Sequence, residues 1–138
     1  MRIEALVLPT AVRRAMIGHA RRESPRECCG FIIGGRGAVE AIVVATNVEP
    51  GTTRYQIDPR EHIALRRALR GTDRDILGVY HSHPAGSAQP SATDVAEAHY
   101  PDWAYVIVGL RGTRASIRAF CLAPPQVIQI PLSSAAIR

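Results

Sequence analysis

The sequence contains no lysine, and all 17 of its basic residues are arginines, which leave it with a formal net charge of +5. The arginines occur as scattered pairs and single residues, with no dense block and few aromatic residues between them. Nucleic-acid-binding surfaces combine clustered basic charge with a recognisable motif or with aromatic stacking platforms. The charge pattern therefore disfavours a nucleic-acid partner, while an acidic or polar protein partner stays compatible with it.

Cysteine is also scarce: Cys28, Cys29 and Cys121 make an odd number, and the first two are adjacent. This pattern argues against the disulfide framework of a small secreted protein. The first residues carry charges at Arg2 and Glu4 and do not resemble a signal peptide. No apolar run approaches the ~20 residues of a membrane-spanning helix. We therefore expect a cytoplasmic protein with no membrane partner.

Aromatic residues make up only 5% of the chain, although 46% of the residues are hydrophobic and 21% are charged. A chain of 138 residues with this composition can bury the core of one domain. We expect that core to consist mainly of alanine, valine, isoleucine and leucine. Because the sequence shows no internal repeat or linker, it predicts one domain over residues 1–138, with a tail that frays over residues 132–138.

Short apolar runs bounded by turn residues predict a series of strands. They cover residues 3–9, 28–35, 38–48, 75–84, 103–110, 114–122 and 126–132, with a short extended piece at 54–57. Helices are predicted at residues 10–22, 58–70 and 91–100. The run at 75–84 is apolar almost throughout, as in a central strand covered on both faces. This element order predicts an α+β fold, in which helices pack on a mixed β-sheet.

The first two predicted helices carry apolar stripes. In the first, the stripe comprises Val12, Ala15, Met16 and His19, so His19 is interpreted as a packed residue at the edge of the core. In the second, the expected buried stripe comprises Ala64, Leu65, Ala68 and Leu69. Asp58 is the expected N-cap of this second helix, and Glu61 is placed to complete a capping box. His62, in the first turn, is expected to be solvated.

Two histidines, His81 and His83, are separated by one residue at the end of the predicted central strand. Alternate strand residues point to the same side, so the two imidazoles can converge while Ser82 faces away. Catalytic zinc is held by three protein ligands of this kind and keeps one position open. Asp94 could supply a carboxylate, because the Pro/Gly/Ser-rich residues 84–90 let the chain turn back.

Each half of this pattern also has a simpler interpretation. Ser91 and Asp94 form S-x-x-D, which is typical of a capping box at a helix start. Two histidines at a strand end are often only polar edge residues. The interpretations are compatible, since Ser91 can begin a helix while Asp94 turns its carboxylate towards a metal.

A hydrolytic zinc site also needs a base that takes a proton from water and passes it to the leaving amine. Glu27 is the best candidate, because it directly precedes an apolar strand where solubility does not require a charge. Glu23 and Glu97 are alternatives, although both fit solvated helix faces.

These residues together resemble the JAMM zinc metalloproteases, also called the MPN+ or JAB family. The family pattern is an upstream glutamate, H-[ST]-H followed by proline, and S-x-x-D after seven intervening residues. Here His81-Ser82-His83 is followed by residues 84–90, which begin with proline, and then by Ser91 and Asp94. The segments "PRECCGFIIG", "YQIDP", "ILGVYHSHP" and "YPDWAYVIVGL" are similar to bacterial members. The resemblance covers roughly residues 1–120.

The resemblance implies an MPN fold, of cytidine-deaminase-like architecture, and one bound Zn²⁺. His81, His83 and Asp94 would be its ligands, with water as the fourth. Glu27 would be the general base and then the acid, and Ser91 would stabilise the oxyanion. The resemblance further implies that Cys29 is buried beside the site.

The implied activity is that of a peptidase or isopeptidase. Its partner would be a small ubiquitin-like or sulfur-carrier protein, cleaved after a C-terminal Gly-Gly. The intact set of polar residues argues against the inactive scaffold members of the family. An endopeptidase of phage-tail or cell-wall type, or a non-catalytic scaffold module, stays open as an alternative.

Other zinc enzymes fit the chain poorly. An amidohydrolase barrel needs about 250 residues, and the H-x-E and P-C-x-x-C pieces of zinc deaminases are missing. The sequence leaves open the leaving group, the presence of a homodimer, and whether residues 85–89 close over the site.

Overall fold

The computed structural model of the protein describes residues 2–135. Eight strands form one mixed sheet in the order β7-β6-β5-β4-β2-β3-β1-β8. In chain order the elements are β1 (Leu6–Val7), α1 (Thr10–Glu23), β2 (Cys29–Gly35), β3 (Ala38–Ala45), α2 (Pro59–Leu69), β4 (Asp75–His83), α3 (Ala92–Ala96), β5 (Ala104–Gly109), β6 (Ser116–Ala123), β7 (Gln126–Ile130) and β8 (Leu132–Ser133).

The sheet is mixed because β4 and β5 run parallel, whereas β2 is antiparallel to both β3 and β4. This arrangement confirms the predicted α+β fold with a mixed sheet. Strand β4 lies between β2 and β5, and all its residues from Ile76 to Ser82 are buried. The prediction of a central strand covered on both faces is therefore confirmed.

The alternation of side chains along β4 divides the core into two clusters. Tyr80 belongs to the cluster that includes Val12 and Met16 of α1, and Val79 belongs to the opposite cluster with Leu69 of α2. His81 follows the alternation of Val79, so it faces the α2 side of the sheet. The candidate site therefore lies on that side, and α1 covers the reverse.

Several predicted helix positions differ from the structure. Val12, Met16 and His19 are buried as predicted, but Ala15 is exposed, and Ala20 is buried in its place. In α2 only Leu69 is buried, with Leu65 partly so, whereas Ala64 and Ala68 are exposed. The buried face of α1 is thus rotated relative to the predicted stripe, and that of α2 is narrower than predicted. An alanine side chain at the margin of a stripe loses little hydrophobic stabilisation by exposure.

The start of α2 also differs from prediction. Asp58 is the N-cap, and its side chain accepts a hydrogen bond from the Arg60 N–H at 3.0 Å. The Glu61 carboxylate does not complete a capping box, because it accepts instead from the Thr46 N–H at 2.6 Å. Glu61 thus ties the helix to the segment that follows β3.

The two ends of the chain pair with each other. Only Leu6 and Val7 of the predicted first strand form a strand, and Leu6 lies opposite Leu132 in a parallel pair with β8. The expected fraying is therefore wrong for Leu132 and Ser133, while residues 136–138 of that tail lie outside the described residues. Within the described part of the chain, none of the helices has the length and apolar character needed to span a bilayer.

Candidate metal centre

The side chains of His81, His83 and Asp94 converge at the end of β4. The two Nε2 atoms are 3.1 Å apart. One carboxylate oxygen of Asp94 lies 3.2 Å from Nε2 of His81, and the other lies 3.0 Å from Nε2 of His83. His81 is 1% exposed. The structure therefore brings the three predicted ligands together in one partly buried triangle.

The orientation of His83 is set by the loop after β4. Its Nδ1 lies 2.8 Å from the carbonyl oxygen of Ser87, so this nitrogen carries the proton and donates it. In the neutral ring, Nε2 then presents a bare lone pair to the centre. The loop itself packs against β5, because Ala88 is buried and the Arg111 N–H donates to the Gly86 carbonyl. Residues 86–88 thus support His83 from behind.

The predicted capping box at α3 is present. The Ser91 hydroxyl oxygen accepts from the Asp94 N–H at 3.0 Å, and the Ser91 N–H donates to Oδ2 of Asp94 at 2.9 Å. The same Oδ2 faces His83. Asp94 therefore completes the capping box of α3 and also faces the histidines, because the helix start holds its carboxylate in their direction.

Glu27 is placed by the residue that follows it. The Cys28 N–H donates to the Ser82 hydroxyl at 2.8 Å, and the Ser82 N–H donates to the Cys28 carbonyl at 3.1 Å. Ser82 is fully buried on the face of β4 opposite the histidines, as predicted. The Asn47 amide also donates to the Glu27 carbonyl at 3.0 Å. This backbone framework anchors Glu27 beside the end of β4.

The Glu27 carboxyl group is buried without a full set of partners. The residue is 6% exposed, and its Oε1 has no hydrogen-bond partner among the described residues. Burial raises its pKa to about 7, with His83 acting in the opposite direction and Asp94 adding to the rise. A carboxyl group with this pKa can exchange a proton near neutral pH.

The three convergent groups differ in their affinity for protons. Burial lowers the pKa of His81. Burial also lowers the pKa of His83, but its hydrogen bonds to Asp94 and Ser87 have the larger effect, so the pKa is raised overall. The pKa of Asp94 lies well below its usual range, because hydrogen bonds from both histidines overcome the effect of burial. Asp94 is therefore ionised at neutral pH, as a ligand for a cation must be.

The donor set fits a small divalent cation. Two atoms bonded to zinc at ~2.0–2.1 Å in tetrahedral geometry lie about 3.3–3.4 Å apart, close to the 3.0–3.2 Å measured between these side chains. A bare Nε2 and a carboxylate oxygen are both acceptors, so a proton or a cation must lie between them. The residues therefore suit zinc chemistry.

Two carboxylates compete for the third ligand position. Glu27, His81 and His83 form a group whose ligand atoms all lie within 4.8 Å of one another. The Asp94 carboxylate oxygens lie 3.0 and 3.2 Å from Nε2 atoms of the same imidazoles. The distances to Asp94 match the spacing between ligands of one zinc ion, whereas the 4.8 Å limit only places the Glu27 carboxyl group beside the histidines. The geometry therefore favours Asp94 as the ligand and Glu27 as the group beside the open position.

Tyr55 contributes to the centre without belonging to the sequence pattern. Its ring stacks on His81, with centroids 4.3 Å apart and an interplanar angle of 21°. Tyr55 comes from the segment after β3. The two ends of this segment are held together by an antiparallel bridge between Asn47 and Ile57. The sequence signalled this segment through the extended character of residues 54–57 and the family-like stretch "YQIDP", but neither signal assigned a role to Tyr55.

A cavity of about 510 Å³ adjoins the centre, and Tyr55 and Asp94 line it. His62 also lines it and is partly buried among Phe31, Tyr100 and Trp103. The expectation of a solvated His62 is therefore wrong, because these rings cover it. The three cysteines are buried and unpaired, and Cys29 lies opposite His81 in the β2–β4 register.

Comparison with known proteins places this geometry in a family. The sequence profile described as prokaryotic homologs of the JAB domain matches residues 9–121. The CysO-cysteine peptidase of Mycobacterium tuberculosis is 35% identical over 134 residues, which cover 95% of this chain and 92% of the relative. A probable TtuB-protein conjugate cleaving protease of Thermus thermophilus is 39% identical over 114 residues, covering 80% and 74%. The desampylase of Haloferax volcanii is 36% identical over 110 residues, covering 74% and 78%.

Solved structures of other proteins have the same fold as this chain. A protein of Desulfitobacterium hafniense matches with a TM-score of 0.84 at 28% identity, covering 93% of this chain and 91% of that one. A JAB1/MPN domain protein of Archaeoglobus fulgidus matches with a TM-score of 0.64, covering 92% and 98%. Its identity of 13% makes this a likeness of fold alone. The predicted architecture is confirmed.

Proposed function

We propose that this chain, which belongs to the family of prokaryotic homologs of the JAB domain, is a zinc-dependent peptidase or isopeptidase. Its substrate would be a small ubiquitin-like or sulfur-carrier protein, and the bond cleaved would follow the C-terminal Gly-Gly. The observation that carries the proposal is the triangle of His81, His83 and Asp94, with distances of 3.0–3.2 Å, beside the buried carboxyl group of Glu27.

Each residue of the centre has a task in peptide hydrolysis. His81, His83 and Asp94 would hold Zn²⁺, which when bound supplies a Lewis acid and lowers the pKa of water towards ~7. Glu27 takes a proton from the attacking water and then donates it to the leaving amine. Ser91, whose oxygen already accepts from the Asp94 N–H, keeps its own proton free for the substrate carbonyl oxygen.

The relatives support the substrate class. They are named as peptidases or proteases acting on CysO-cysteine or TtuB-protein conjugates, or as a desampylase. The unpaired state of the three buried cysteines is consistent with the cytoplasmic location that we propose for this chain.

The decisive experiment is a cleavage assay on a ubiquitin-like carrier with a C-terminal extension after Gly-Gly, read by mass spectrometry. We expect cleavage by the zinc-loaded protein, loss of cleavage with a chelator and recovery with zinc. Glu27→Gln should lower kcat by at least ~10²-fold while zinc stays bound, because the amide cannot move the proton. Glu23→Gln is the matched control, since Glu23 is an exposed carboxylate four residues upstream, and it should cleave like the wild type.

Metal content tests the ligands separately. His81→Ala and Asp94→Ala should each lose zinc, measured by elemental analysis after gel filtration. Full activity of Glu27→Gln would overturn the assignment of the base. A wild-type protein that binds no zinc would overturn the whole proposal, and cleavage that ignores bulky replacements of the tail glycines would overturn the Gly-Gly specificity.

A further inference from the structure

The cavity beside the metal centre holds most of the aromatic residues of a chain that has few. Of its seven Phe, Trp and Tyr residues, five line this one cavity: Phe31, Tyr55, Tyr100, Trp103 and Tyr105. The opposite core cluster contains a single aromatic residue, Tyr80, among aliphatic ones. Aromatic side chains are therefore concentrated where a surface is open to a ligand, in a volume of about 510 Å³ that is typical of ligand sites.

The strand register places the cavity on one side of the centre and Glu27 on the other. Phe31 and Val79 line the cavity and lie opposite each other, and the next pair on the same face is Cys29 and His81. Glu27 lies a further two residues along, before β2 begins. Because Glu27 must reach the leaving amine, the cavity lies on the acyl side of the scissile bond.

The distance from the centre to the part of the cavity at Val79 matches two residues of an extended tail. Val79 and His81 are two positions apart on β4, which corresponds to about 7 Å at ~3.3 Å per residue. Two glycines in extended conformation span the same length. The residue that precedes Gly-Gly would then reach the cavity with its side chain, past Tyr55 and Asp94.

The charges at the mouth select against an ionised side chain. Arg54 forms ion pairs with Glu97 and with Glu49, the latter at 3.6 Å, and all three residues line the cavity. An anionic side chain would face the two glutamates and Asp94, whereas a cationic side chain could pair with either glutamate only by displacing Arg54. An uncharged apolar side chain gains contact with the aromatic walls and disturbs none of these pairs.

We propose that this aromatic cavity is a specificity site for a bulky, uncharged apolar side chain at the position immediately before the carrier's Gly-Gly. The inference rests on the proposed function, because that function supplies the Gly-Gly tail. It adds a sequence requirement that the metal centre cannot impose.

The only tryptophan of the chain, Trp103, lies in the cavity and reports binding without catalysis. Short peptides ending in Leu-Gly-Gly, Ala-Gly-Gly, Lys-Gly-Gly and Asp-Gly-Gly are titrated into the zinc-loaded protein, and tryptophan fluorescence is followed. Leu-Gly-Gly should bind at least ~10-fold more tightly than each of the others. Equal affinities for the four peptides, or no fluorescence change with any of them, would overturn the proposal.

A pair of variants tests the aromatic wall of the cavity that Tyr100 and Trp103 form. Tyr100 stacks on Trp103, with centroids 3.8 Å apart, and is 38% exposed, so Tyr100→Ala removes part of the wall at the surface. We expect the preference for Leu over Ala to fall below ~3-fold. Ile128→Ala on β7 is the control, because Ile128 is 39% exposed, and the preference should survive there. An unchanged preference in Tyr100→Ala would contradict the assigned wall.

Cleavage separates this inference from the function on which it rests. Four carriers that differ only in the residue before Gly-Gly are compared by kcat/KM. The carrier with Leu at this position should have a much higher kcat/KM than the carriers with Ala, Lys or Asp. Equal cleavage of all four carriers would leave the peptidase proposal standing and overturn the cavity proposal. Loss of cleavage of every carrier, with the peptide preference intact, would overturn the peptidase proposal alone.

Discussion

At the scale of single residues, the orientation of His81 depends on a stacked ring. Nδ1 of His81 is buried and has no hydrogen-bond partner among the described residues, so the polar contact that usually orients a metal-binding histidine is not made. The face of Tyr55, 4.3 Å away between centroids, restricts the imidazole instead. Tyr55 is in this sense a positioning residue.

Replacing Tyr55 tests this role through metal affinity. Tyr55→Phe retains the stacked face and should change zinc affinity by less than ~3-fold. Tyr55→Leu removes it and should weaken zinc binding by ~10–100-fold, the usual range for groups that orient a ligand. Competition with a chromophoric chelator measures both. Equal losses in the two variants would show that the hydroxyl group, and not the ring face, is responsible.

The sequence predicts the polar residues of the centre and misses their supports for a physical reason. His81, His83 and Asp94 belong to a local pattern, because strand alternation and a capping box direct their side chains. The Tyr55 ring and the Ser87 carbonyl come from segments whose approach depends on the whole fold. No short-range periodicity encodes such contacts.

At the scale of elements, β4 was predictable, whereas β8 and the short length of β1 were not. An unbroken apolar run identifies a buried central strand from its own residues. In contrast, β1 and β8 have two residues each and depend on partners distant in sequence, because Leu6 pairs with Leu132 and Val7 also pairs with Ala38 of β3. The exposed Ala64 and Ala68 show the same limit, since the width of a helix contact is decided by its neighbours.

The packing of β5 against the loop after β4 gives a test at this scale. A Cβ at Gly109 would come within 2.6 Å of the Ala88 nitrogen and 2.7 Å of the Ser87 carbonyl carbon. Gly109→Ala should therefore displace the loop that holds His83 and weaken zinc binding by ~10-fold or more. Gly51→Ala is the matched control, because nothing lies within 4 Å of its added Cβ. Wild-type affinity in Gly109→Ala would show that His83 does not depend on this loop.

At the scale of the whole molecule, one face of β4 carries residues of the candidate metal centre and the other face contacts α1. His81 and His83 point to the centre, while Tyr80 points to α1 and lies 2.7 Å from Nδ1 of His19 through its hydroxyl. The Tyr80 ring also covers Gly30, where an added Cβ would come within 2.4 Å of it. The glycine after Cys29 is thus explained by packing behind the centre.

The buried His19 predicts how stability changes with pH. Burial lowers its pKa from the usual value near 6.5, with Arg22 acting in the same direction and Glu23, 3.9 Å from Nε2, opposing it. The unfolded chain therefore binds the proton more readily, and the contribution of His19 is complete above about pH 6.5 and lost as pH falls below it. The slope is at most about 1.4 kcal/mol per pH unit.

Urea unfolding between pH 5 and pH 7.5, with chelator present so that metal binding does not contribute, measures this slope. His19→Gln retains a hydrogen-bonding group for Tyr80 but does not titrate, so its free energy of unfolding should fall less steeply with acid than that of the wild type. His62 and His81, whose pKa values are also lowered, contribute equally to both proteins and cancel in the comparison. Parallel pH profiles for the two proteins would show that His19 accepts a proton equally well in the folded chain, and that its contact with Tyr80 tolerates the charge.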